Sequence, residues 1–273
     1  MSKLKIGIVG CGAIGSSLAK TIVRDLSGQA KLAALHDLIQ EKAENLSLKL
    51  CGKKNLAVQS LEQLISKSDL VIEAAHANCS LEIARKAVSR GKDVMIMSVG
   101  GIVSGFPALV KSIKKTNARI YIPSGAIAGI DALKAANLGK ISKVVLTTKK
   151  NPLSFKGVKY IEEKKIKLDK IKKDTVMFSG SAQEAMKFFP QNINVAGILS
   201  IAGIGQAKTR VNIIACPRAS RNIHEIEIEA EAGNIFTRTE NVLHPENPKT
   251  SYLAVLSAVA TLKQILQPFR AGT

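Results

Sequence analysis

The glycines of Gly10-Cys11-Gly12-Ala13-Ile14-Gly15 are spaced to bind the phosphates of a nucleotide. The hexapeptide follows the apolar run Ile6-Gly7-Ile8-Val9 and precedes the helix-forming Ser16-Ser17-Leu18-Ala19-Lys20, the strand-to-helix setting that G-x-G-x-x-G requires. Gly10 permits the tight turn, Gly12 has no Cβ to keep a pyrophosphate off the backbone, and Gly15 lets helix and strand pack closely. The helix that opens at Gly12, Ala13 and Ile14 turns free N–H groups and a positive dipole end toward the phosphates. The next strand, Lys31-Leu32-Ala33-Ala34-Leu35-His36-Asp37, ends in an acid. Dinucleotide sites place there, about 20 residues on, a carboxylate that accepts hydrogen bonds from the adenine ribose. Asp37 can also cap the helix that follows, and both roles can hold together. An acid at this point favours NAD, because a 2′-phosphate would face a like charge, although a swing of the side chain would admit NADP.

Such a site needs alternating strands and helices to carry it. A helical stretch over 41–46 follows Asp37, then a short strand near Ala57-Val58, a helix over 61–66 and the apolar strand Asp69-Leu70-Val71-Ile72-Glu73-Ala74-Ala75. A helix over 80–90 stops at Gly91. Strand Val94-Met95-Ile96-Met97-Ser98, a helix over 107–116 and strand Arg119-Ile120-Tyr121-Ile122 complete an open sheet of about six strands. The alternation implies parallel βαβ units with right-handed crossovers, that is, an α/β Rossmann domain with a doubly wound parallel sheet. His76 then lies beside the cleft at a strand's carboxyl end, and His36 walls the adenosine site.

Pro123-Ser124-Gly125-Ala126-Ile127-Ala128-Gly129 is a turn of small residues, followed by a helix over 130–136. From Ile141 several strands alternate polar and apolar: Lys143 to Thr148, Thr175 to Phe178, Lys208 to Ile214 and His224 to Ala230. Alternation with one wet face indicates a mainly antiparallel sheet, and helices over 182–188 and 193–202 would cover its other face as a second, α+β domain. Lys164, Lys165, Lys167, Lys170, Lys172 and Lys173 alternate with Ile166, Leu168 and Ile171, which suits a solvated amphipathic strand or hairpin. His244, before a proline, reads as a loop residue. Glu246-Asn247-Pro248-Lys249-Thr250 reads as a helix start, with Asn247 as N-cap and Pro248 in the first helical position. The helix over 251–267 is apolar on more than one side and is expected to return to the first domain. The division is therefore 1–122 plus 246–273 for the dinucleotide domain and 123–245 for a catalytic and oligomerisation domain.

Composition narrows the classes. The 273 residues are 46% hydrophobic, which excludes disorder, and contain no uninterrupted apolar run of membrane-spanning length; with no signal-peptide pattern, a cytoplasmic protein without a membrane partner is expected. Forty Lys and Arg against 21 Asp and Glu leave +19, but aromatics are only 4%, too few for base stacking. The expected partner is an anionic small molecule drawn in by a basic surface rather than nucleic acid. Cys11, Cys51, Cys79 and Cys216 have no paired spacing, so neither a disulfide framework nor a metal site is expected.

Four separated motifs carry a resemblance across nearly the whole chain: Pro123 through Ala132, Asn192-Ile193-Asn194-Val195-Ala196, Asn222-Ile223-His224-Glu225-Ile226, and Glu246 through Leu253. Together with the glycine loop, they make the chain resemble the L-aspartate dehydrogenase family. The resemblance implies an NAD(P)-dependent oxidoreductase, working as a homodimer, that converts L-aspartate to iminoaspartate, which goes on to oxaloacetate and ammonia or feeds NAD biosynthesis. It implies His224 as the catalytic residue and Ala126 and Asn194 as cofactor contacts. An imidazole, with an ordinary pKa near 6.5, suits proton transfer near working pH. Lys249 and Thr250, placed in a helix first turn, could present cation, hydroxyl and backbone N–H groups to a substrate carboxylate.

Two other readings stay open on the residues alone. Another two-domain Rossmann oxidoreductase, of the homoserine- or sugar-dehydrogenase type, would share the architecture; sugar enzymes of this build carry Glu-Lys-Pro after the fifth strand, where this chain has Ser98-Val99-Gly100-Gly101. A non-catalytic NAD-binding sensor would keep the glycine loop and have no use for His224.

Overall fold

The computed structural model describes residues 2–189, 193–245 and 247–272; side chains 193 and 247–249 also lie outside the description. The chain divides into two compact units, Met1–Pro123 with Val255–Arg270, and Ser124–Ala254 with Ala271–Thr273.

The first unit is a five-stranded parallel sheet. Its strands are β1 (Leu4–Val9), β2 (Ala30–His36), β3 (Leu70–Glu73), β4 (Asp93–Ile96) and β5 (Ile120–Tyr121), in the order β2-β1-β3-β4-β5. Helices α1 (Ala13–Arg24), α2 (Gln40–Cys51), α3 (Leu61–Lys67), α4 (Ala77–Ser89) and α5 (Phe106–Ile113) make the connections. The sequence suggests six strands. The one expected at Ala57-Val58 shrinks to a single bridge, in which Leu35 donates to Leu56 O and accepts from Val58 N. With that bridge beyond β2, the order is that of a dinucleotide fold. Ile6, Ile8, Leu70 and Ile72 are fully buried, as a sheet covered on both faces demands.

The second unit is a mixed sheet of β6 (Ile141–Lys150), β7 (Thr175–Ser181), β8 (Arg210–Ala215), β9 (Asn222–Ala230) and β10 (Gly233–Asn241), ordered β10-β9-β6-β8-β7. All its pairings are antiparallel except β6 with β8. One face is apolar: Val144 and Leu146 of β6, Val211 and Ile213 of β8, and Ile226 and Ile228 of β9 are buried. This unit also contains helices α6 (Ile130–Ala136), α8 (Ala182–Phe188) and α9 (Ile193–Ala202). On the opposite face Lys143 pairs with Glu227 and Glu229 at 2.9 Å, Lys149 with Glu225 at 3.0 Å and Arg238 with Glu240 at 2.7 Å. The wet side of the alternation thus uses up part of the positive charge, at little gain in stability.

Three expectations are corrected. The lysine-rich stretch is not a strand but a short helix, α7 (Lys159–Glu163), and a 3-10 turn at Leu168–Lys170. Tyr160 sets it, packing on Phe178, Phe188 and Phe189 with ring centroids 5.0–6.1 Å apart, while Ile161 beside it is buried. His244 is not a loop residue: it belongs to strand β11 (Leu243–His244), is buried, and meets Tyr252 edge-on. The helix start at Asn247-Pro248 is instead strand β12 (Asn247–Ser251), and α10 (Tyr252–Leu266) begins after it. Among the described residues β12 pairs only with β11. A two-stranded ribbon tolerates a proline, because one edge of each strand needs no donor.

Candidate active site

In the first unit the loop after β1 has the shape its glycines suggest. Gly10 adopts φ +95°, and a Cβ there would run into the backbone of Ala74 and Ala75. A Cβ on Gly15 would strike the Gly10 carbonyl, whereas around Gly12 the space is open. Gly12 is the N-cap of α1 and offers no capping side chain. The first-turn N–H groups, those of Ala13 and Ile14 among them, lack intrahelical acceptors. Open space over a glycine at a helix N-terminus fits a pyrophosphate. Asp37 does two jobs: Oδ2 accepts from Cys11 N at 2.7 Å and Oδ1 from Ile39 N at 2.9 Å. One oxygen ties β2 to the phosphate loop, and the other holds the turn into α2. Burial, with the Asp37 charge behind it, pushes the Cys11 thiol up to about 12, so it stays protonated and inert. His36 Nδ1 donates to Val58 O at 3.2 Å.

Glu73 was not singled out in the sequence. It ends β3 fully buried, accepting from Ala75 N and Ser98 N at 2.9 Å each. Burial pushes its pKa up, against those hydrogen bonds. It laces together the carboxyl ends of β3 and β4, where an open α/β sheet binds its ligand. An acid closing the apolar run Leu70-Val71-Ile72 was the available signal. His76 is the N-cap of α4, its Nδ1 accepting from Asn78 N at 3.4 Å.

In the second unit the apolar face turns polar at one end. Along β6 the inward positions run Val144, Leu146, Thr148, Lys150; along β9 they run Ile228, Ile226, His224, Asn222. The register places Thr148 opposite His224, and Thr239 of β10 on the other side of His224. One pleat on, Asn222 faces Asn241 of β10, and Lys150 falls beside Asn222 by continuation of the ladder. Thr148 Oγ1 and His224 Nδ1 are 3.0 Å apart, both residues buried. The Ala126 carbonyl accepts from Thr239 Oγ1 and Asn241 Nδ2, both at 2.9 Å. The small-residue turn is thereby fastened to the two rows of polar side chains. Lys150 and Asn222 line a cavity of about 500 Å³.

This environment changes what His224 can do. Burial, helped by the Lys150 charge, lowers its pKa to about 3. The ring is neutral at physiological pH, instead of titrating near 6.5 as the residue type alone suggests. Burial also lowers the Lys150 amine to about 8. Lys150 escaped the sequence reading, although the change between apolar and polar at the last two inward positions of β6 and the first two of β9 marks it.

The remaining candidates are scattered. Asn194 is exposed in the first turn of α9. Lys249 and Thr250 lie in β12, so no helix first turn presents them to an anion; Asn192 and Glu246 of the quoted motifs lie outside the described residues. Among the described residues no cluster of His, Cys, Asp and Glu could hold a metal ion, and no helix is long and apolar enough to cross a membrane.

A parallel sheet with a glycine phosphate loop, joined in one chain to a mixed sheet carrying a buried polar row, defines the NAD(P)-dependent two-domain oxidoreductases. Residues 10–123 match the family profile for the NAD-binding domain of homoserine dehydrogenase, and residues 131–265 that for the aspartate dehydrogenase C-terminal domain. The chain is 46% identical to an L-aspartate dehydrogenase of Methanosarcina mazei, over 99% of this chain and all of that one. It is 44% identical to that of Methanococcus maripaludis, with the same coverage. The crystal structure of aspartate dehydrogenase from Thermotoga maritima superposes with a TM-score of 0.78 at 26% identity, covering 99% of this chain and 100% of that one. The chain belongs to the L-aspartate dehydrogenase family. A hyperthermophilic archaeal homoserine dehydrogenase in complex with NADPH, 14% identical with a TM-score of 0.60 over 98% of this chain and all of its own, shares the fold.

Proposed function

We propose that this protein oxidises L-aspartate to iminoaspartate with NAD or NADP, the imine then taking up water to give oxaloacetate and ammonia. The observation that carries this reading is the matching of nearly the whole chain, at 42–47% identity, to proteins named L-aspartate dehydrogenase. The loop at Gly10, Gly12, Ala13, Ile14 and Gly15 holds the pyrophosphate and Asp37 the adenine ribose; Ala126 and Asn194 are further cofactor contacts. Bound there, the nicotinamide supplies the acceptor for the hydride leaving Cα.

His224 handles the proton. Thr148 occupies Nδ1, which leaves Nε2 for the substrate nitrogen or for the water that adds to the imine. With Nδ1–H donating to the Thr148 oxygen, Nε2 carries a lone pair and can accept a proton from the amine; the same nitrogen returns it as ammonia leaves. A substrate carboxylate beside Lys150 offsets the charge that depresses the imidazole, raising its proton affinity when that is needed. Lys249, whose side chain lies outside the description, and Thr250 are further carboxylate contacts in this reading.

The same reading makes the protein a cytoplasmic homodimer joined through its second unit, where Val176 on β7 and Phe236 on β10, the two edge strands, are 62% and 67% exposed. Its iminoaspartate is a suitable feed for NAD biosynthesis. The test is direct: L-aspartate, L-glutamate, L-alanine and homoserine are each offered with NAD and with NADP, and reduced cofactor is followed by absorbance. Reduction with L-aspartate ahead of the others is expected; preference for homoserine would overturn the assignment.

A further inference from the structure

The cavity of the second unit is lined by three cations, Lys150, Lys156 and Arg221, together with Asn151, Ser154 and Asn222 and, among the described residues, no acid. Among the described residues none of the three forms an ion pair, whereas Lys149, on the opposite face of β6, is paired with Glu225. Lys150 is the inner one, standing two residues along β6 from Thr148, a rise of roughly 7 Å. Arg221, just ahead of β9, is exposed at the outer wall. Unpaired cations converging on a polar cavity favour a ligand carrying more than one negative charge.

We propose that this cavity is the dicarboxylate subsite, with Lys150 holding the carboxylate nearer the reacting carbon, Arg221 the farther one, and the His224–Thr148 pair one pleat further in. The inference rests on the aspartate reading and adds the residues that select for a second carboxylate. Lys150 and Arg221 bind the substrate directly and determine its specificity. Burial that lowers the Lys150 amine to about 8 still leaves it mainly charged at neutral pH, and a carboxylate partner would hold the charge more firmly.

Succinate, a dicarboxylate with no amine to oxidise, separates binding from turnover. Calorimetry on the full chain should show succinate binding that K150M and R221Q each weaken roughly 10–100-fold, the worth of one charge-assisted hydrogen bond. K150R should restore most of it. The same two variants should raise KM for L-aspartate far more than they change kcat, with dinucleotide affinity intact. Folded variants that bind succinate as the parent does would overturn the proposal, as would inorganic phosphate displacing succinate at equal affinity, the mark of an unselective anion patch. The two readings fail separately. L-Aspartate oxidation with unaltered KM in both variants sinks the subsite alone; Lys150-dependent succinate binding by a protein that oxidises no L-aspartate keeps the subsite and sinks the reaction.

Discussion

Thr148 Oγ1 and His224 Nδ1 meet at 3.0 Å across β6 and β9. A hydroxyl held against one ring nitrogen fixes the plane of the imidazole and decides which nitrogen is left to work. Substituting His224 with Asn keeps a polar group of similar reach and removes the titrating ring. Turnover with L-aspartate should fall roughly 10²–10⁴-fold, the usual worth of a positioned acid–base group, while NAD affinity measured by fluorescence stays near that of the parent. Retained turnover with weakened L-aspartate affinity would recast His224 as a carboxylate anchor.

The depressed pKa of His224 also sets an acid limit. Unfolded, the ring takes a proton near pH 6.5; folded, it resists until about 3. Between those values the unfolded chain binds the extra proton, so stability falls as pH falls, by up to roughly 1.4 kcal/mol per pH unit. Below about 3 this loss is complete, and above 6.5 it is absent. The H224N variant should therefore lose less stability than the parent between pH 6.5 and 4. Parallel melting curves across that range would show that the histidine is not buried as described.

Asp37 is expected to set cofactor choice. Its carboxylate is held by Cys11 N and Ile39 N, at the strand end where dinucleotide folds place a ribose acceptor. Asp37→Ala removes a ribose acceptor and a charge that repels a 2′-phosphate. Kd for NAD should rise about tenfold, the worth of one lost hydrogen bond, and Kd for NADP should stay level or fall. Unchanged values for both would take Asp37 out of the site.

The last helix belongs to the first unit's core. Ala258 and Leu262 of α10 are fully buried in one cluster with Ile6, Leu18 and Leu70. Leu262→Ala should cost about 2–5 kcal/mol, read by urea unfolding, and should lower NAD binding only through the loss of folded protein. A cost below about 1 kcal/mol would place α10 outside that core.

The parallel sheet was legible because period and glycine spacing are local properties: β1, the loop and β2 follow from consecutive residues. The helices over 130–136, 182–188 and 193–202 were legible for the same reason. The polar row around His224 was not, since Thr148, His224, Thr239 and Lys150 come from three strands whose alignment depends on register. The Asn247-Pro248 pair was misread because a capping signal and an edge-strand proline look alike until pairing with Leu243 and His244 is known. The charge of His224 depends on burial and on Lys150, which no reference pKa contains.

That the first unit is built from residues 1–123 and 255–270 has a cost in time. A ribosome adding about 5–20 residues per second makes residues 124–254 of the second unit before Ala258 and Leu262 emerge. For on the order of ten seconds the nascent sheet has apolar side chains whose partners do not yet exist. The dinucleotide domain is thus begun first and completed only near the end of synthesis, and its demand on holding chaperones should exceed that of a sheet completed in one continuous pass.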